Sequence, residues 1–122
     1  FFLGLNALTS GSRVGRAGAY LFLAGSIFLV GIGVFNETFG RIHFYFSAAF
    51  FISLTVSILT FGVFMLRNGS TSLALLSFVA GIVTPIAWSL PWKGAAIPEA
   101  ISASAYGIWS ASIGIWATKQ GR

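Results

Sequence analysis

Five side chains in this 122-residue sequence have types that could do chemistry together: Glu37, Arg41, His43, Lys93 and Glu99. They include both acidic residues and the single histidine of the chain. Two carboxylates and an imidazole would suit a hard or borderline divalent ion. The spacing does not build that site: Glu37 and His43 are six apart and cannot share a helix face. No metal is therefore assigned. No nucleophile or phosphate-binding loop accompanies the acids, so no residue is given a catalytic role. The five residues are read instead as a binding or structural polar cluster. In its plainest form Glu99 pairs with Arg41, or Glu37 with Lys93, and the two loops are clasped together. A ligand site would be built from the same clasp.

Other local signals add little chemistry. Asn36-Glu37-Thr38 fits the N-x-[ST] acceptor pattern, which makes Asn36 a glycosylation candidate. Asn68-Gly69-Ser70 fits it too, but reads more simply as a tight turn in which Asn and Gly supply positive φ. No cofactor is implied. A haem with two axial histidines is unavailable to a one-histidine chain, and the apolar runs hold no lysine for a retinal Schiff base. With no cysteine, disulfides and thiolate sites are excluded.

The elements that must position these residues are set by composition. The chain is 57% hydrophobic and 7% charged, against about 25% charged in soluble domains. Such a chain cannot cover its own surface in water, so lipid must be its solvent. The net charge of +5 comes from basic residues scattered singly, not from a basic patch interleaved with aromatics, so nucleic acid is not an expected partner. Four apolar runs cover about residues 17–35, 44–66, 71–90 and 98–118. Each approximates the ~20 residues that a helix needs to cross the hydrocarbon layer. Alternating ten-residue strands, as in a membrane barrel, are absent from the sequence pattern. The expectation is an all-α integral membrane protein, an antiparallel bundle of four spans in one domain. Residues 1–8 read as the end of an earlier helix.

Short connectors put Arg13, Arg16, Arg67, Lys119 and Arg122 on one side and Arg41 and Lys93 on the other. The positive-inside rule makes the first group cytoplasmic. Loops 36–43 and 91–97 then lie outside the cell membrane, and loop 67–71 and the C-terminus inside. Glu99, Ala103, Gly107 and Ala111 recur at four-residue spacing, a small-residue stripe expected to face the bundle and to aim Glu99 inward. Trp109, with Ile108, Ile115 and Trp116, falls elsewhere on that helix, and Trp109 and Tyr106 are expected against lipid tails or a neighbouring subunit. Ser77, Gly81, Thr84 and Trp88 share a face of the third span, with Ser53, Ser57 and Thr60 on the second, as packing polar groups. Pro85 is expected to kink the third span, and Pro98 to occupy the first helical position of the fourth.

At Gly33-Val34-Phe35-Asn36-Glu37, followed by Ile42-His43, and at Ala96-Ile97-Pro98-Glu99, the sequence resembles a largely archaeal family of multi-span membrane proteins known only as domain of unknown function 998. Asn36 stands where that family usually has proline. The resemblance implies a six-span protein of which this chain holds the last four spans, and implies that Glu37, His43 and Glu99 meet at one end of the bundle. It brings no established activity. The expected role is an accessory or scaffold subunit of a larger membrane assembly. The alternative is a small-molecule, lipid or ion binding or transport protein using the outer Glu/His/Arg cluster.

Overall fold

The computed structural model describes residues 11–35, 40–94 and 96–120. Asn36, Glu37, Arg122 and the segment 1–8 lie outside the described residues. Four helices make up the described chain: α1 (Arg13–Val34), α2 (Arg41–Arg67), α3 (Thr71–Ser89) and α4 (Ala96–Gln120). The all-α expectation holds, and each helix contains most of its apolar run. α1 starts four residues before its run, because a helix satisfies its own backbone and can extend to the polar boundary with Arg13 and Arg16 in its first turns. Ser12 caps it, accepting from the Gly15 amide at 3.2 Å.

α2 ends in a Schellman turn. The Ser70 amide donates to Met65 O at 2.9 Å and the Gly69 amide to Leu66 O at 3.2 Å. Gly69 alone carries the left-handed φ, +79°; Asn68 is at −86°, so only the glycine half of the turn expectation is met. α4 begins at Ala96, so Pro98 is its third residue and not its first. Its missing N–H still costs nothing, because the first four amides of a helix have no partner within it.

Close backbone packing follows chain order, α1 on α2, α2 on α3 and α3 on α4. Glycine sets the first two contacts. Large side chains of one helix seat on glycines of the next in antiparallel register: Phe61 on Gly18, Leu54 on Gly25 and Phe46 on Gly31 between α1 and α2. Between α2 and α3 the fit is reciprocal, with Phe78 on Gly62 and Leu59 on Gly81. A β-carbon at Gly81 would come within 2.6 Å of the Leu59 side chain. In lipid, where helices gain nothing from hiding apolar area, such close approach is the main source of association.

α4 is held differently, and here the sequence expectation is corrected. Its buried residues are Pro98, Ser102, Tyr106, Trp109 and Ile113, while Glu99, Ala103, Gly107 and Ala111 are exposed. Along the stripe Gly107 and Ala111 face outward while Glu99 and Ala103 border a cleft beside α1 and α2, and Trp109 and Tyr106 are core residues, at 0% and 7% exposure. The reason is distance. Among the described helices the backbone of α4 approaches only α3 closely, so large side chains span the remaining space to α2 and α1. Trp109 reaches all three partners, with its ring 5.7 Å from Phe61 and 6.2 Å from Phe22. Its Nε1 donates to Ser77 Oγ at 2.9 Å.

Other polar groups in the bundle are also paired. Ser57 Oγ donates to Gly18 O at 2.7 Å, Trp88 Nε1 donates to Ser102 Oγ at 3.2 Å, and Ser77 Oγ donates to Leu73 O at 2.8 Å. Thr60, like Ser77, bonds back within its own helix, to Val56 O. Most of these are the packing contacts expected of hydroxyls in a membrane bundle.

Candidate binding clefts at the His43 end

Antiparallel packing gathers Arg41, His43, Lys93 and Glu99 at one end of the bundle. Arg13, Arg16, Arg67 and Lys119 occupy the other. At the first end α1 unwinds at Phe35, and a Phe35–Phe46 stack holds that residue over α2, with centroids 5.4 Å apart and planes within 5°. The seat for Phe46 exists because residue 31 is glycine; its ring occupies the place of a β-carbon there. The Phe35 carbonyl thereby meets His43, whose Nδ1 lies 2.9 Å from it. A carbonyl only accepts, so Nδ1 carries a hydrogen. In the uncharged ring Nε2 is then an acceptor.

His43 opens a stripe along α2. His43, Ser47, Phe51 and Thr55 follow at four-residue intervals and line a cleft of about 510 Å³ between α2 and α3. From His43 to Thr55 the stripe descends about 18 Å, roughly one leaflet of hydrocarbon. The facing wall is Thr84, Pro85 and Trp88 of α3, and Glu99 of α4 stands at the mouth. A second cleft, also about 510 Å³, opens between α1, α2 and α4, where the backbones of α1 and α4 stay apart. His43, Ser47, Phe51 and Glu99 line both. Both are open and predominantly apolar.

The cleft floor is polar at one level. Tyr106 OH and Thr55 Oγ1 share a hydrogen bond of 3.2 Å, and the Tyr106 hydroxyl also reaches Phe51 O at 3.5 Å. Thr84 is 3% exposed, and its Oγ1 is buried beside the Tyr106 hydroxyl. Pro85 follows it and cannot donate to the Gly81 carbonyl.

Of the sequence-stated cluster, the structure brings His43 and Glu99 to one mouth. Arg41 and Lys93 are exposed at the same end but line neither cleft. Among the described residues Glu99 forms no ion pair with either of them. No group of three or more His, Cys, Asp or Glu suited to a metal occurs among the described residues. Thr55, Thr84, Trp88 and Tyr106 were not part of that cluster. The signal for Thr55 was present, since it continues the His43–Ser47 register by two further turns. The convergence of Thr84 and Tyr106 on it depends on the tertiary packing.

α1, α2 and α3 are each long and apolar enough to cross a membrane, and α4, at 25 residues, is as long but less apolar. Large apolar side chains such as Val30, Phe44, Leu75 and Ile108 face outward on all four. The described charges sit in connectors or near helix ends. These features define a membrane protein of the helical-bundle class, with apolar clefts opening at one end. The chain belongs to the family described as a protein of unknown function (DUF998), whose model matches residues 1–116. Comparison with curated proteins and with solved structures finds no match.

Proposed function

We propose that this protein binds an amphiphile or lipid in the cleft between α2 and α3. The observation that supports it most is that His43 and Glu99, from different helices, stand together over an apolar cleft about one leaflet deep. A polar mouth above an apolar trough matches a molecule with a polar head and an apolar chain. On this reading the mouth faces the outside of the cell, as the four described basic residues at the opposite end against Arg41 and Lys93 favour. α4 completes the bundle as a fourth span.

The test is occlusion. Ala48 lines the cleft. Protein extracted in mild detergent is expected to carry a bound amphiphile in native mass spectrometry, and Ala48→Trp to lose it. Equal retention by Ala48→Trp would overturn the reading.

A second reading, an accessory or scaffold subunit, draws on one observation. The exposed face of α4 carries Gly107 and Ala111, and a β-carbon at Gly107 would meet nothing within 4 Å. Such a face suits close approach by a neighbouring membrane helix. Purification in native lipid tests it: a lone monomer with no co-purifying subunit would count against this role.

A further inference from the structure

The groups around the cleft select the ligand's head group. At the mouth stand the Glu99 carboxylate, which only accepts, and the His43 Nε2, made an acceptor in the uncharged ring by the Nδ1–Phe35 contact. Ser47 adds a hydroxyl, which can adapt to either role. Among the described residues no lysine or arginine lines the cleft, so an anionic head would meet a carboxylate and no counter-charge from them. A head that donates hydrogen bonds and carries positive charge meets acceptors there, with the Trp88 ring beside it.

Deeper in the same cleft, Thr84 lines the wall, with its Oγ1 buried beside the Tyr106 hydroxyl. Tyr106, its neighbour, is seven residues beyond Glu99 on α4, which puts this hydroxyl about 10 Å below the mouth.

Resting on the cleft reading above, we infer that the ligand is a long-chain primary amine whose ammonium sits between Glu99 and His43. The ammonium donates to Glu99 and to His43 Nε2. The alkyl chain lies against Phe51, Ile52 and Val56. A membrane aminolipid and a free amphiphilic amine share this chemistry.

The purified full chain is tested by native mass spectrometry with three probes of one chain length. They are dodecyl 6-aminohexanoate, its N,N,N-trimethyl analogue and monododecyl adipate. The primary amine is expected to bind at least about tenfold more tightly than the other two, the size of one charge-assisted hydrogen bond. Glu99→Gln should remove about tenfold of that affinity. Three probes bound within twofold, or an unchanged affinity in Glu99→Gln, would overturn the head-group inference. If Ala48→Trp still blocked all three, cleft binding itself would stand; if Ala48→Trp left binding intact, the cleft reading would fail with it. Displacement of the amine probe by phosphatidylethanolamine nanodiscs, and not by nanodiscs of phosphatidylcholine, would assign the source as a membrane aminolipid. Displacement by neither, with the probe selectivity intact, would assign a free amine.

Discussion

Trp109 on α4 donates its indole N–H to Ser77 on α3 at 2.9 Å, and both residues are fully buried. The same ring lies against Phe61 of α2 and Phe22 of α1, so one side chain joins all four helices. Trp109→Ala should cost about 3–5 kcal/mol through the cavity it leaves. Ser77→Ala should cost about 1–3 kcal/mol, because the indole N–H is left buried without a partner. Unfolding in detergent, followed by far-UV dichroism, measures both. A Ser77→Ala protein as stable as the parent would show that the hydrogen bond contributes nothing.

The glycines divide into two groups with opposite expected responses. Gly81→Ala drives a methyl group into Leu59 and should destabilise by about 1–3 kcal/mol. Gly107→Ala meets nothing within 4 Å and should be neutral, or stabilising by up to about 1 kcal/mol through helix propensity. Paired melting curves test this contrast. A reversed order would mean that α4 presents its other face to the bundle.

Gly31 acts on His43 at second hand. Its missing side chain seats Phe46, Phe46 stacks on Phe35, and the Phe35 carbonyl engages His43 Nδ1. Nitrogen chemical shifts of the single imidazole report this directly. The uncharged ring should carry its hydrogen on Nδ1 in the parent protein. In Gly31→Ala it should shift toward the Nε2–H form as the stack is displaced. An Nε2–H ring in the parent would rule out the assigned acceptor.

Orientation is open to a simple test because the chain has no cysteine. Single replacements Lys93→Cys and Asn68→Cys should react with a membrane-impermeant maleimide from opposite sides, Lys93→Cys from outside intact cells. Labelling of both from the same side would contradict the antiparallel arrangement of α3. Labelling of Asn68→Cys alone from outside would invert the proposed topology.

Much of this fold is written in the sequence as solvent preference. Long uncharged apolar runs can hide their backbone from lipid only by coiling into helices, and short connectors leave little choice but antiparallel neighbours. The stripe from His43 to Ser47 was readable for the same reason, since four residues make about one helical turn. Which face of α4 turns inward was not readable. Small residues permit close packing wherever a helix comes near, but they do not say that one does.

Sequence alone therefore determined the class, the helices, and the gathering of His43 and Glu99 at one end, because these follow from hydropathy, length and chain direction. Tertiary structure decided that α4 stands off from α1 and α2. That spacing buries Tyr106 and Trp109 and leaves Gly107 and Ala111 outward. It also opens the second cleft and places Thr84 beside Tyr106. The physical reason is that in lipid the apolar pattern carries no inside–outside code. Only the fit of side chains such as Leu59 on Gly81 and Trp109 on Ser77 selects the faces that meet.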